Sequence, residues 1–309
     1  MDQASSLRKI VDNRALKRNK KISSKNFDES SLKVLAVTSG KGGVGKTNVV
    51  GNLSIALSEF GKNVLIIDAD MGLGNVDIIF GIRPEYNIGH VIRGEKKLKD
   101  VIVKTSHGIS IIPGGSGFSD LTNLTEGEKL NLLCEFETLD YGNVDESSDK
   151  NGIDFVFIDT GAGIASNVAY FNMAAEECMV VATFEPTSIT DAYALMKVMA
   201  TQYGTKYFKL LVNMVQNAKE AKSVYLSLSQ AVDRFLSGVV VEYVGFIPTD
   251  VKLRNAVIKR IPVMDFAPDA ASSLAFREVG SKLARSNKRN SSSGNISFFF
   301  KKCMNADIL

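Results

Sequence analysis

Residues 40–47 have the sequence Gly-Lys-Gly-Gly-Val-Gly-Lys-Thr, and this stretch decides the fold of the chain. It fits the phosphate-binding pattern G-x-x-x-x-G-K-[ST], in which glycines let the backbone N–H groups surround a phosphate. In this pattern Lys46 reaches the β- and γ-phosphates, and the Thr47 hydroxyl is a ligand of Mg²⁺. The predicted nucleotide contacts are Gly40, Lys41, Gly42, Gly43, Val44, Gly45, Lys46, Thr47 and Asn48.

Both flanks of the loop support a nucleotide site. An apolar run at 34–37 precedes it, and apolar residues at helical spacing follow from Thr47 to Phe60. A strand, a glycine-rich loop and a helix in this order place phosphates at the N-terminus of the helix. A glycine-rich turn that arose by chance is not expected to have an apolar strand before it and a helical pattern after it.

Short apolar runs recur along the body of the chain and indicate the fold class. Most are rich in Val and Ile and are bounded by Gly, Asp or Pro, as buried parallel strands are. Helical patterns lie between several of them, which predicts an α/β fold: a mostly parallel twisted sheet flanked by helices on both faces. The runs are 34–37, 64–67, 109–112, 155–158, 179–182, 209–212 and 239–247.

Two of the predicted strands end in aspartates. Asp68 and Asp70 follow the run 64–67, and Asp159 follows the run 155–158. The carboxyl ends of parallel strands meet at one edge of the sheet, where ligands bind. An aspartate at this place holds Mg²⁺ directly or through water, so Thr47, Asp68 and Asp159 form the predicted metal site.

Composition excludes several classes of protein. A chain of 309 residues with 45% hydrophobic content can build a large core without disulfides. Cys134, Cys178 and Cys303 lack metal-site spacing, which is typical of reduced thiols in a cytosolic protein. The first residues do not resemble a signal peptide, and no apolar run reaches the roughly 18 residues of a membrane span. We therefore expect a cytoplasmic protein, and its net charge of +3 does not by itself indicate nucleic-acid binding.

Spacing and composition divide the chain into five predicted segments. Residues 1–12 have the pattern of a short amphipathic helix, and a polar, basic linker follows at 13–31. Residues 32–285 form the predicted nucleotide-binding domain. A Ser/Asn-rich linker at 286–295 leads to the tail at 296–309.

The tail contains three consecutive phenylalanines. On a helical wheel Ile296, Phe299 and Phe300 share one side, whereas Lys301 and Lys302 point away from it. Such a segment can pack on its own domain. The preceding linker and the adjacent lysines favour an amphipathic helix that binds the surface of a membrane.

Three motifs together resemble the MinD/ParA group of P-loop ATPases, which have a deviant Walker A loop. They are K-G-G-V-G-K-T at 41–47, D-A-D-M-G-L-G-N-V-D at 68–77 and D-T-G-A-G-I at 159–164. The resemblance implies ATP and ADP as ligands, Mg²⁺ as cofactor, and a cycle between a monomer and an ATP-bound homodimer. It also implies that Lys41 crosses to the phosphates of the other subunit and stabilises the charge that develops there.

Further site residues follow from the same resemblance. It implies that Asp70 takes part in hydrolysis together with Lys41, Lys46 and Asp159. It also implies that the start of the helix at 185–193, E-P-T-S-I-T-D-A-Y, belongs to the dimer face. The implied contacts beside the adenine are Asn213, Pro248 and Asp250.

The start of the chain resembles the FlhG branch of this group, which regulates the number and placement of flagella. The resemblance implies that the first helix stimulates the FlhF GTPase, with Gln3 near the reacting water or the transition state. It also makes flagellar C-ring components candidate partners, and it implies reversible binding to the inner face of the cell membrane. The predicted activating residues are Asp2, Gln3, Ala4, Leu7 and Arg8.

Two other functions of the group stay open. A ParA-type DNA-segregation ATPase could place basic residues such as Arg254 and Lys259 on phosphates, although no specific nucleic acid is expected. A MinD-type ATPase that positions the division site would suit the tail but not the first residues. An iron–sulfur carrier is excluded because the sequence lacks the paired cysteines that it needs.

Overall fold

The computed structural model describes most of the predicted nucleotide-binding domain. All of these residues belong to one compact unit that starts at Leu32. The predicted first helix and the predicted tail lie outside the described residues. The described residues are 32–70, 76–115, 125, 127–128, 131–132, 134–136, 152–164, 168–169, 171–172, 175 and 177–286.

The described residues form eight strands and nine helices. The strands are β1 (Lys33–Ser39), β2 (Val64–Ala69), β3 (Val103–Lys104), β4 (Ser110–Ile112), β5 (Phe155–Ala162), β6 (Glu177–Ala182), β7 (Tyr207–Val215) and β8 (Val240–Pro248). The helices are α1 (Lys46–Glu59), α2 (Val76–Phe80), α3 (Ile88–Ile92), α4 (Leu98–Val101), α5 (Pro186–Tyr203), α6 (Ala218–Phe235), α7 (Val251–Lys259), α8 (Val263–Phe266) and α9 (Ala271–Arg285).

The strands form a single sheet in the order β3-β4-β2-β5-β1-β6-β7-β8. Neighbouring strands are parallel, except that β3 runs antiparallel to β4 at the edge. The predicted α/β fold is therefore confirmed. Strand β3 was not predicted, because two residues are too short for a hydrophobic pattern to be recognised.

Strand β1 lies at the centre of the sheet, and all of its residues are buried. Its alternate side chains point to opposite faces, as the pleat of a strand requires. Val34 and Ala36 join the core on one face, whereas Leu35 and Val37 join the core under α1 and α9. Because both faces are covered, the strand reads as a continuous apolar run rather than as an alternating pattern.

In the parallel arrangement the carboxyl ends of β1, β2, β5, β7 and β8 lie along one edge of the sheet, which we call the carboxyl edge. The opposite edge, where these strands begin, is the amino edge. The phosphate-binding loop leaves β1 at the carboxyl edge, and Asp68 and Asp159 lie near the ends of β2 and β5. No helix among the described residues is long and apolar enough to cross a membrane.

Candidate nucleotide-binding site

The phosphate-binding loop has the backbone conformation that its glycines permit. Gly43 has a φ of 79° and Gly45 a φ of 86°, both in the left-handed region that other residues rarely adopt. Gly45 is also the N-cap of α1, so Lys46 and Thr47 form the first residues of this helix. The unpaired N–H groups at such a helix start attract a phosphate.

Close packing holds the loop between α5 and β7. A Cβ on Gly40 would lie 2.2 Å from the backbone carbonyl of Asp191 in α5. A Cβ on Gly45 would lie 2.6 Å from the Nδ2 atom of Asn213 in β7. At Gly42, by contrast, an added Cβ would meet nothing within 4 Å. Two loop glycines are therefore required by their neighbours, whereas Gly42 faces open space.

Lys46 is buried at the base of the loop, with 8% of its surface exposed. Its Nζ atom donates a hydrogen bond to Ser39 Oγ at 2.9 Å. Burial lowers the pKa of Lys46, and the carboxylates of Asp159 and Asp70 oppose this effect. The ammonium group is thus held beside acidic groups at the place where the pattern predicts phosphates.

Asp68 and Asp159 are buried near the carboxyl ends of their strands, which continue to Ala69 and Ala162. Burial raises the pKa of each carboxyl group to about 7. Lys46 and the Thr47 hydroxyl counter part of the rise at Asp159. Even so, neither carboxylate oxygen of Asp159 makes a hydrogen bond of normal geometry to a described residue. The charge of Asp159 is therefore compensated only in part within the described residues.

This arrangement fits Mg²⁺ that arrives with a nucleotide. The described residues contain no group of three or more His, Cys, Asp or Glu side chains able to hold a metal ion. Mg²⁺ usually binds one or two carboxylates and completes its coordination with phosphate oxygens and water. Asp159 has free acceptor atoms next to Thr47, whereas Asp68 already accepts weak hydrogen bonds from the backbone N–H groups of Asp70 and Val76. Asp159 and Thr47 are therefore the better candidates for direct ligands.

The residues predicted beside the adenine lie at the same edge. Asn213 pairs with Ile247 across β7 and β8, next to the predicted contact Pro248. Its side chain is engaged within the chain, because Nδ2 donates to Val44 O at 2.8 Å and Oδ1 accepts from Met214 N at 3.0 Å. Asn213 thus supports the loop directly, and its contact with adenine stays a prediction.

Asp250 is the N-cap of α7 and joins this helix to α9. It accepts hydrogen bonds from Lys252 N at 2.8 Å, Ser272 N at 3.0 Å and Ser272 Oγ at 2.8 Å. Burial alone would raise the pKa of Asp250, but these hydrogen bonds outweigh it and lower the pKa. Its structural role is clear, and its predicted contact with the nucleotide stays a prediction.

Lys41 contacts two residues at the start of α5 that sequence analysis did not connect with it. Its Nζ atom donates to Glu185 Oε2 at 2.6 Å and to Thr187 Oγ1 at 3.1 Å. Ser39 was also missed, although its hydroxyl links Lys46 to the backbone oxygen of Lys41 at 2.7 Å. Ser39 directly precedes the loop, which was the available signal; no local pattern connects residues as distant as Lys41 and Glu185.

The remaining predicted site residues cannot be placed. The predicted activating residues of the first helix and the predicted membrane residues of the tail lie outside the described residues. The former are Asp2, Gln3, Ala4, Leu7 and Arg8, and the latter are Ile296, Phe299, Phe300, Lys301 and Lys302.

Comparison of the sequence with known proteins identifies the family. Residues 35–263 match the CobQ/CobB/MinD/ParA nucleotide binding domain. The chain is 37% identical over 271 residues to the antiactivator FleN of Pseudomonas aeruginosa, which covers 88% of this chain and 93% of FleN. It is 33% identical over 258 residues to the flagellum site-determining protein YlxH of Helicobacter pylori, covering 83% of this chain and 84% of YlxH.

Solved structures support the fold. A chain of the MinC:MinD cell division protein complex of Aquifex aeolicus superposes with a TM-score of 0.64 at 26% identity, covering 85% of this chain and 100% of that one. MinD of Pyrococcus horikoshii, complexed with Mg-ADP, has a TM-score of 0.63 at 23% identity, covering 82% and 96%. The protein therefore belongs to the CobQ/CobB/MinD/ParA nucleotide-binding family and, within it, to the MinD-like P-loop ATPases of the FleN/FlhG group.

Proposed function

We propose that the protein is a Mg²⁺-dependent ATPase that alternates between a monomer and an ATP-bound homodimer and regulates the number and placement of flagella. The observation that carries the nucleotide chemistry is the buried cluster of Lys46, Asp68 and Asp159 at the base of the loop. The raised pKa values show that the ionised forms of these two buried carboxyl groups are disfavoured, so binding of a cation beside them would be favourable. Mg²⁺ bound to ATP supplies that cation.

Each residue of the cluster has a distinct task. Lys46 and the N–H groups of the loop hold the phosphates, and Thr47 with Asp159 would hold Mg²⁺. When bound, Mg²⁺ neutralises charge on the β- and γ-phosphate oxygens. Asp70 directly follows β2, where it would orient the attacking water. Lys41 from a second subunit would add positive charge during hydrolysis.

The relatives support a flagellar role over a role in division. Identity is 37% to the antiactivator FleN and 33% to the flagellum site-determining protein YlxH. Identity to the septum site-determining protein MinD of Synechocystis is lower, at 28% over 256 residues. The resemblance of the first residues to the FlhG branch adds the FlhF GTPase and flagellar C-ring components as candidate partners.

Dimerisation would also control membrane binding through the tail. One short amphipathic anchor resembles a single acyl chain, whose binding constant of about 10⁴ M⁻¹ is marginal and reversible. Two anchors on one ATP-bound dimer bind with an avidity that is roughly 10²- to 10⁴-fold higher. The dimer would therefore accumulate on the inner face of the cell membrane, and hydrolysis would return the monomer to the cytoplasm. Equal vesicle binding by the ADP-loaded and ATP-loaded forms would contradict this switch.

ATP turnover with two lysine variants tests the proposed chemistry. We expect Lys46→Ala to weaken ATP binding by roughly 100-fold or more, because the phosphates lose their buried cationic partner. We expect Lys41→Ala to keep ATP binding but to lose the rise in turnover per subunit with protein concentration. Lys62→Ala is the control, because Lys62 pairs with Asp154 far from the loop. Equal effects of Lys41→Ala and Lys46→Ala on binding would contradict the assignment of Lys41 to the second subunit.

GTP turnover by purified FlhF tests the proposed partner. The assay adds a peptide of residues 1–20 in three forms: unmodified, Gln3→Ala and Ser6→Ala. We expect the unmodified and Ser6→Ala peptides to stimulate turnover and Gln3→Ala to fail. No stimulation by the unmodified peptide would leave a MinD-like ATPase without the proposed FlhF activity.

A further inference from the structure

Lys41 is engaged with two residues of its own chain. Its Nζ atom lies 2.6 Å from Glu185 Oε2 and 3.1 Å from Thr187 Oγ1. We propose that Glu185 is a positioning residue for Lys41: it holds the lysine on its own subunit in the monomer and must release it before the lysine reaches a second subunit's nucleotide. The proposal rests on the function proposed above for Lys41.

The backbone near Lys41 is fixed, so the exchange is a movement of the side chain. The loop lies against α5, where a Cβ on Gly40 would be 2.2 Å from the carbonyl of Asp191. The Ser39 hydroxyl donates to the backbone oxygen of Lys41 at 2.7 Å. With the loop held at both places, the ammonium group changes partner by rotating about its own side-chain bonds. The carboxylate of Glu185 and a phosphate then compete for one cation.

Glu185 is suited to this role by its position. It is the N-cap residue of α5, yet its side chain makes no capping hydrogen bond to the helix. The side chain is 64% exposed and lines an open cavity of about 760 Å³ together with Phe184, Pro186 and Met214. Its carboxylate therefore stands at the surface, where a second copy of the chain would approach, and accepts the hydrogen bond from Lys41.

The expected effect is small because both partners are exposed. The Lys41 side chain is 40% exposed, and ion pairs of this kind usually shift an equilibrium by roughly two- to fivefold. Such a pair favours the position of Lys41 on its own subunit only weakly, so the lysine can still move to bind a triphosphate. Salt should weaken this preference, because the Debye length falls to about 3 Å at 1 M ionic strength.

Dimerisation of the full-length protein tests the proposal. Sedimentation velocity gives the dimer dissociation constant with Mg²⁺ and a non-hydrolysable ATP analogue, at low salt and at about 1 M salt. We expect Glu185→Gln to tighten the dimer roughly two- to fivefold at low salt and to match the unmodified protein at high salt. We expect Thr187→Val to tighten it less. Glu278→Gln is the matched control, because Glu278 pairs with Lys282 at 2.8 Å on α9.

The Lys41→Ala background separates failure of this proposal from failure of the proposed function. If Lys41→Ala dimerises like the unmodified protein, Lys41 does not act across the dimer, and the proposed function of Lys41 is wrong. If Lys41→Ala weakens the dimer, Glu185→Gln should have no effect when combined with it. An unchanged or weaker dimer for Glu185→Gln alone, or an equal tightening in the Lys41→Ala background, would overturn the positioning role of Glu185.

Discussion

Charged side chains are buried at both the amino edge and the carboxyl edge of the sheet, but the two edges differ in whether the buried charge is paired within the chain. At the amino edge Lys209 is 3% exposed, and its Nζ atom lies 2.9 Å from Glu242 Oε2 and 3.5 Å from Glu177 Oε1. At the carboxyl edge Asp159 is 1% exposed, and neither of its oxygens makes a hydrogen bond of normal geometry to a described residue, so Lys46 and the Thr47 hydroxyl compensate its charge only in part. The amino edge pairs the charge of Lys209 within the chain, whereas at the carboxyl edge the charge of Asp159 is compensated only in part.

Lys33 is a second buried lysine at the amino edge whose ammonium group is bound within the chain. Its Nζ atom donates to Leu283 O at 3.0 Å and to Ser286 Oγ at 3.1 Å, so it binds the end of α9 to the start of β1. Burial lowers the pKa of Lys33, and Glu177 opposes that shift. Burial by itself therefore does not identify a functional charge. A buried charge that its neighbours compensate only in part, as at Asp159, is the more informative property.

We expect the largest change in the free energy of unfolding from Lys209→Ala at the amino edge. Removing one partner of a fully buried ion pair typically lowers the free energy of unfolding by about 3–5 kcal/mol. We expect a loss of about 3 kcal/mol, because Glu177 is 15% exposed but Glu242 is 39% exposed and water screens the charge that it keeps. Glu177 and Glu242 would be left facing each other without the lysine. Urea denaturation measures the loss, and nucleotide titration should give an unchanged dissociation constant.

Lys206→Ala is the control for this prediction, since Lys206 is exposed near the start of the same strand. It should change the free energy of unfolding by less than about 0.5 kcal/mol. A comparable loss from both lysines, or weaker nucleotide binding in Lys209→Ala, would contradict the division of roles between the edges.

Asp159→Asn should have the opposite effect at the carboxyl edge. Near pH 8 the ionised Asp159 is buried without a full partner, so its neutral analogue should raise the free energy of unfolding of the ligand-free protein by roughly 1–3 kcal/mol. The same substitution removes a predicted ligand of Mg²⁺ and should abolish the additional stabilisation by Mg-ADP. Thermal unfolding with and without Mg-ADP measures both effects. A destabilised variant that still responds to Mg-ADP would contradict the prediction.

The pH dependence of stability should report the same partly compensated carboxyl groups. The pKa values of Asp68 and Asp159 rise from 3.8 to about 7, so between these limits the folded protein binds more protons than the unfolded chain. Their contribution therefore favours folding at low pH and is lost as the pH rises toward about 7. If Mg-ADP binds the ionised carboxylates, as proposed, the stabilisation that it adds should grow over the same range. The matched control is Asp159→Asn, whose pH dependence should be weaker.

The sequence predicted the carboxyl edge better than the amino edge for a physical reason. Phosphate chemistry requires a short local pattern, so the loop at 40–47 and the strand-end Asp68 and Asp159 were recognisable without long-range information. The pair of Lys209 and Glu242 depends on the register of two strands, which no local pattern encodes. The same limit applied to Lys41 and Glu185, which meet only because the loop packs on α5.

Among these variants, we expect the smallest change in the free energy of unfolding from Lys33→Met. The variant keeps the apolar stem of Lys33 but removes its hydrogen bonds to the end of α9, so the free energy of unfolding should fall by about 1 kcal/mol. Hydrogen exchange should quicken at the last turn of α9, and nucleotide affinity should not change. Lys62→Met is the control, because Lys62 and Asp154 form a half-exposed pair at 3.4 Å, and its effect should be smaller still. Altered nucleotide affinity in Lys33→Met would mean that the two edges of the sheet are energetically coupled, and that the amino edge contributes to function as well as to stability.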